Sequence, residues 1–239
     1  MMISPPLIAS SVDTWVFDLD NTLYPAVHSL FPQIDERIRC YIARHLDLDQ
    51  DAAYRLQKTY YREYGTTLRG LMSVHGTDPN DFLDFVHDID HSVLQPDPRL
   101  SAAIASLPGR KLIFTNGSYQ HAVRVMERLD VTRHFEDIFD IVAADFIPKP
   151  QMQPYEKLAT RFNITLNKSV MIEDLERNLV PAAQLGMTTV WFKQEEHPDL
   201  HVLGVTPANP PHVHHITEDL IQWLEQVVDS DPSLKPSCV

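Results

Sequence analysis

Five short runs, bounded by polar turns and separated by stretches with helical spacing, set the strongest limit on how this chain can fold. They are Trp15–Phe17, Lys111–Thr115, Phe139–Ala143, Ser169–Ile172 and Thr188–Phe192, and they read as buried strands. Amphipathic helices are predicted between the later ones, over about 119–129, 155–162 and 178–185. Strands alternating with helices in this rhythm predict an α/β fold on a parallel sheet with right-handed crossovers.

The stretch between the first two strands reads differently. From Phe31 to Tyr64, apolar residues such as Ile34, Ile38, Tyr41, Ile42 and Leu46 recur at helical spacing. Gly65-Thr66-Thr67 interrupts that run, Leu68–His75 suits a shorter helix, and Thr77-Asp78-Pro79 suits the cap of another over about 80–89. Pro96-Asp97-Pro98 closes the segment. An all-helical insertion is therefore expected over residues 25–96, within a core made of 1–24 and 97–239. Near the far end, His201, His212, His214 and His215 read as part of a solvated connection leading to a last short strand. An amphipathic helix over 217–228 and a loose tail from Asp229 complete the reading.

A formal net charge of -13 works against non-specific binding to nucleic acid polymers or to an anionic membrane. An anionic substrate would need local cations. Two cysteines, Cys40 and Cys238, are too few and too distant for a disulfide framework or a zinc site. No run approaches the ~18 apolar residues of a membrane span, and residues 1–11 lack a signal-peptide pattern, so a cytoplasmic location is expected. Oligomeric state is not legible.

The polar residues at the strand ends carry the chemistry. Asp18 and Asp20 follow the first strand, Thr115-Asn116-Gly117 ends the second, Lys149 lies shortly after the third, and Glu173-Asp174 ends the fourth. In a parallel sheet these ends open on one edge. Four carboxylates there would repel one another unless cations joined them. Lys149 supplies one charge, and magnesium, which takes carboxylate oxygens, would supply two more. No His or Cys is expected to converge on the set, which disfavours zinc. Such a site suits phosphoryl transfer: one carboxylate attacks phosphorus, a second moves the proton, and a hydroxyl, backbone N–H groups and an ammonium hold the phosphoryl oxygens. Thr115 with its Asn-Gly turn, and Lys149, suit that last task.

Asp18-x-Asp20-x-Thr22, Thr115-Asn116-Gly117, Lys149-Pro150 and Glu173-Asp174 with Asn178, in that order, resemble the four motifs of the haloacid dehalogenase-like (HAD) superfamily over about residues 13–192. The resemblance implies a Rossmann-like core with an α-helical cap over residues 25–96 and hydrolysis of a small phosphate ester. It implies Asp18 as nucleophile and Asp20 as acid/base. Magnesium would be held by Asp18, the Asp20 carbonyl, Asp174 and Glu173. Asn178, one turn beyond Asp174, would either orient the metal shell or cap a helix. Asp20-Asn21-Thr22-Leu23-Tyr24-Pro25 and Tyr64-Gly65-Thr66-Thr67-Leu68-Arg69-Gly70-Leu71 are similar to the pyrimidine 5'-nucleotidase branch, which hydrolyses UMP and CMP. That likeness would bring Arg69 near the nucleoside, with a surface or cap-to-core ion pair as the alternative. Phosphatases for phosphoglycolate or a sugar phosphate, and a non-catalytic binding protein, share the same core motifs.

Overall fold

A computed structural model describes residues 7–26, 30–194 and 209–235. Among them, β1 (Thr14–Phe17), β2 (Arg110–Phe114), β3 (Asp137–Phe139), β4 (Ser169–Glu173), β5 (Thr188–Phe192) and β6 (His215–Thr217) form one sheet. Their order is β3-β2-β1-β4-β5-β6 and every neighbouring pair is parallel. Every residue of β1 and β4 is buried, as expected of central parallel strands covered on both faces. Side chains alternate between those faces. Trp15 and Phe17 pack with Ile113, Val170 and Ile172 on one side, whereas Val16 packs with Phe114, Met171 and Trp191 on the other. Each fully buried side chain of this kind contributes about 1.5–3 kcal/mol.

Between β1 and β2 the chain forms α1 (Phe31–Leu46), α2 (Gln50–Tyr64), α3 (Thr67–His75) and α4 (Pro79–Val86). These helices have their own apolar centre in Tyr41, Ile42, Ala53, Leu71, Phe82 and Val86. Ile141, from the segment after β3, joins that centre and ties the helices to the sheet edge. Beyond them, α5 (Pro98–Ser106), α6 (Tyr119–Arg128) and, near the end, α9 (Leu220–Asp229) cover the face of Trp15 through Ile104, Val125 and Leu224. The face of Val16 is covered by α7 (Met152–Phe162) and α8 (Leu179–Gln184), through Tyr155, Leu158 and Leu179.

Several details depart from the sequence reading. The run from Phe31 to Tyr64 is two helices: Asp47 adopts a left-handed φ of 52°, and the Asp49 carboxylate caps α2 by accepting from the Ala52 N–H. Asp97 does more than close a segment, since its side chain accepts from the Arg99 and Leu100 N–H groups and starts α5, a helix the reading missed. The third strand stops at Phe139. The Asp140 carboxylate takes the Tyr119 and Ala143 N–H groups, and the chain then turns through left-handed Asp145 and Phe146. Helix α9 begins at Leu220 rather than 217, with Asp219 as its cap. The tail is anchored as far as it is described, because buried Asp231 accepts from the Ser10 N–H at 2.7 Å. The connection is not simply solvated either: His214 Nδ1 bonds Thr189, and His212 pairs with Glu176. His201 and Cys238 lie outside the described residues.

Candidate active site

The chain runs from β1 outward to β2 and β3, then crosses back to β4 on the other flank of β1. Such a reversal opens a crevice at the carboxyl ends of the strands. Asp18 stands there, its N–H still donating to Ile172 O at 2.9 Å, with the end of β2 at Phe114 on one side, Glu173 on the other, and Thr115 lining the same cavity. Lys149 enters from the segment after β3 and is 2% exposed. Its Nζ donates to Asp18 Oδ1 at 2.6 Å, Glu173 Oε1 at 2.7 Å and Phe114 O at 2.9 Å, which uses all three ammonium protons. Thr22 Oγ1 donates to the other Asp18 oxygen at 2.9 Å.

Asn116 clamps the Lys149 backbone: its Oδ1 accepts from the Lys149 N–H and its Nδ2 donates to the Lys149 carbonyl. Its side chain is therefore committed to Lys149 in this arrangement. The Gly117 N–H is committed to Thr115 Oγ1 at 2.9 Å. A Cβ on Gly117 would stand 3.2 Å from His121 Cδ2, 3.3 Å from Thr115 Oγ1 and 3.5 Å from Asp20 Oδ2, so a side chain would crowd this corner.

Asp18, Glu173 and Asp174, all buried, offer oxygens within 4.8 Å of one another. Burial pushes the Asp18 carboxyl up to about 7, against the pull of Lys149 and with help from Glu173. Glu173 is likewise pushed up to about 7 by burial, against Lys149 and with help from Asp174. Burial works against the Lys149 ammonium, yet Asp18 and Glu173 outweigh it and raise its pKa. Two carboxyls held near neutrality mark a site short of positive charge, and an all-oxygen donor set fits a hard dication. Asn178 adds a second sign: its Nδ2 donates to Glu173 Oε1 at 2.7 Å, and its buried Oδ1 has no partner among the described residues. Glu173 also accepts from the Leu175 N–H.

Asp20 has a different environment, which the sequence reading did not foresee. A histidine does converge on the set: His121 Nε2 lies 2.8 Å from Asp20 Oδ1, and Tyr24 OH donates to the same oxygen at 2.6 Å. The His121 ring stacks on His87, with centroids 4.4 Å apart, and its Nδ1 bonds His91 Nε2 at 3.2 Å. Burial would push Asp20 up, but the charge and hydrogen bond of His121, with Tyr24 and His87, hold it down at about 2. His87 is held down at about 3 by burial first and then by His121. The histidines stand beside Asp20 and not in the Asp18–Glu173–Asp174 group, so the candidate metal ligands remain oxygens. His121 and His87 were missed because 101 residues separate Asp20 from His121, and a lone histidine in a helix carries no signal of its partner.

The crevice continues into a cavity of about 200 Å³ whose far wall comes from the helices after β1. Phe31, Ile34, Ile38, Leu68, Phe82 and Leu83 make it largely apolar. Asp35, Gln57 and Lys58 form its polar patch. Gln57 Nε2 donates to the Asp35 carboxylate at 2.8 Å and its carbonyl at 3.3 Å, and Lys58 pairs with the same carboxylate. Two acceptors on one side fix the amide orientation. Gln57 Oε1 is therefore left buried and unpartnered among the described residues. Arg69 does not line the cavity, although Thr66, Thr67 and Leu68 do. One residue further along a helix turns about 100° around its axis, which carries Arg69 off the wall. The cation in this wall is Lys58 instead.

A sequence model described as haloacid dehalogenase-like hydrolase matches residues 12–186. Phosphate metabolism protein 8 of Saccharomyces cerevisiae is 30% identical over 200 residues, covering 76% of this chain. The match takes in 61% of the yeast protein's length. Glyceraldehyde 3-phosphate phosphatase of Pyrococcus furiosus is 24% identical over 92% of this chain and 96% of its own. Among solved structures, a HAD phosphatase from Thermococcus onnurineus superposes with a TM-score of 0.62 at 16% identity, covering 92% of this chain and 99% of its own. L-2-haloacid dehalogenase from Xanthobacter autotrophicus gives 0.54 at 15%, covering 90% and 98%. At such identities the structures share the fold. Because the family's sequence pattern spans more than half of its length, the chain belongs to the haloacid dehalogenase-like hydrolases.

Proposed function

We propose that this protein is a magnesium-dependent phosphomonoesterase that works through an aspartyl-phosphate on Asp18 and acts on pyrimidine nucleoside monophosphates. The observation that carries the chemistry is Asp18 itself, at the sheet edge, lining the cavity, beside two further acids and a buried ammonium. Asp18 and Asp174, with the Asp20 carbonyl, would hold the metal, and Glu173 chiefly anchors Lys149. When bound, magnesium supplies the positive charge the acids lack and draws electron density from the phosphoryl oxygens.

Thr22 and Lys149 fix the Asp18 carboxylate from two sides, so its attack on phosphorus starts from a set direction. As the Asp18–phosphorus bond forms, the ester bond breaks with its electron pair on the leaving oxygen, and Asp20 gives that oxygen a proton. A phosphate dianion beside Asp20 shifts its carboxyl toward the protonated form needed for this step. Asp20, ionised again, then takes a proton from the water that hydrolyses the aspartyl-phosphate. A dehalogenase attacking carbon needs neither that proton nor the acid cluster. The helices over the cavity, α1–α4, serve as the cap that excludes water and reads the leaving group.

For substrate, the apolar wall with one buried acceptor at Gln57 favours a flat, weakly polar leaving group bearing an N–H or O–H donor. A pyrimidine nucleoside meets that description better than the carboxylate of phosphoglycolate. The names of the yeast and Pyrococcus relatives support phosphate chemistry, and the latter keeps a sugar or triose phosphate as the second reading. Phosphate release from UMP, CMP, purine monophosphates, phosphoglycolate and sugar phosphates, with magnesium and with a chelator, tests the proposal. Magnesium-dependent turnover led by UMP and CMP is expected. Turnover led by another ester would overturn the substrate, and turnover that survives the chelator would overturn the metal.

A further inference from the structure

Both bonds that hold the Asp20 carboxylate, from His121 and from Tyr24, fall on the same oxygen, Oδ1. Asp20 itself lines the cavity, and its Oδ2, which takes neither of these bonds, lies beside Gly117. A carboxylate gripped on one oxygen presents the other in a fixed direction. That geometry serves both halves of the proposed reaction, because a carboxyl can keep Oδ1 as acceptor while Oδ2 first gives and then takes a proton.

His121 is built to be this grip. It is fully buried on α6, and its ring is held on three sides. His87 stacks against its face at an interplanar angle of 16°, and His87 is itself bonded to Ser118, the cap of α6, at 2.9 Å. His91 bonds the ring's Nδ1 and is in turn fixed to Ile89 O at 3.0 Å. Arg124 and Arg128, one and two turns further along α6, donate to the carbonyls of His87 and His91. The segment that brings the chain back from α4 to the sheet is thus fastened to α6 at several points. It closes a cage around one imidazole whose remaining nitrogen meets Asp20.

We propose that His121 is a positioning residue for the leaving-group proton transfer: caged by His87 and His91, it holds Asp20 Oδ1 so that Oδ2 faces the leaving oxygen. The proposal rests on the acid/base role given to Asp20 above. In the step concerned, the Asp18 oxygen's electron pair forms the bond to phosphorus, the ester bond's pair goes to the leaving oxygen, and the Oδ2 proton joins it to release the alcohol. An alkyl ester depends on that proton because an alkoxide is a poor leaving group. p-Nitrophenyl phosphate depends on it little, since nitrophenolate leaves unaided.

The test compares kcat/KM for UMP and for p-nitrophenyl phosphate in the wild type, His121→Asn, His121→Gln and Asp20→Asn, with magnesium present. General-acid catalysis contributes about 10²–10⁴-fold. Asp20→Asn should therefore lose ~10²-fold or more on UMP and at least tenfold less on p-nitrophenyl phosphate. His121→Asn, whose shorter amide cannot reach Oδ1, should show the same bias toward loss on UMP. His121→Gln, whose amide N–H reaches about as far as Nε2, should recover most of it. Adding His121→Asn to Asp20→Asn should cost little more, as expected for two residues acting through one group. Equal losses on both esters in His121→Asn, or no recovery in His121→Gln, would reduce His121 to a packing role and overturn the proposal. Should His121→Asn fail to fold, His121→Leu, which also cannot bond Oδ1, takes its place: a loss biased toward UMP that His121→Gln restores supports the proposal, and an equal loss on both esters overturns it. If Asp20→Asn itself shows no ester bias, the acid role of Asp20 falls first.

Discussion

The sheet edge and the helical wall face each other across one cavity, yet they are built on opposite plans. At the edge, polar groups are held more than once. Lys149 is tied to two carboxylates and a carbonyl, Asp18 to Lys149 and Thr22, and Asn116 to both sides of the Lys149 backbone. In the wall, apolar side chains dominate, and the polar patch of Asp35, Gln57 and Lys58 leaves one buried oxygen without a partner. A site whose reacting carboxylates and ammonium are each fixed by more than one bond can hold a reaction geometry but tolerates little change. A mostly apolar wall with one spare acceptor can be altered to take another leaving group without disturbing the chemistry opposite. Under the proposed function, the difference would leave the reaction to the sheet and the choice of substrate to the helices.

The comparison breaks most severely at Asp18. Asp18→Asn keeps the size of the side chain and should lower turnover ~10⁴-fold or more, the scale of losing a covalent nucleophile. A circular dichroism spectrum like that of the wild type would show the fold intact, and appreciable residual turnover would contradict the nucleophile assignment. Next comes Lys149→Met, which leaves Asp18 and Glu173 buried without their ammonium. Breaking a buried ion pair from one side costs about 3–5 kcal/mol, to be read from denaturant unfolding. A loss below ~1 kcal/mol would mean the edge is less tightly determined than its bonds imply. The smallest effect belongs to the wall. Gln57→Leu should shift the preference for UMP over p-nitrophenyl phosphate by about tenfold, one hydrogen bond's worth, and cost about 1–2 kcal/mol of stability for the bonds its amide gives Asp35. An equal loss on both esters would place Gln57 in the shared chemistry and blur the division drawn here.

What the sequence made legible follows the same division. The strand ends were readable because buried parallel strands are unbroken apolar runs, and the polar residue that ends each one stands out at a known edge. Asp18, Thr115, Lys149, Glu173 and Asp174 all converge as that logic requires. Helix α5 was hidden behind Pro96-Asp97-Pro98, where a proline pair that reads as a terminator is equally the start of a capped helix. The cage around His121 and the Gln57–Asp35 pair were not legible, since each joins side chains 22 or more residues apart whose meeting depends on how helices pack. Arg69 misled for a related reason. A motif places a residue on a helix, but one position decides which way it faces.

Under the proposed function, the committed protons of Lys149 bear on how the site would handle a released phosphate. An ammonium already donating to Asp18, Glu173 and Phe114 O has nothing left to offer a free phosphate, and the acids around it repel one. Orthophosphate alone should therefore dissociate readily, and its grip should depend on the divalent ion rather than on the chain. Inhibition by released phosphate would then deepen as magnesium rises, on top of its dependence on phosphate itself.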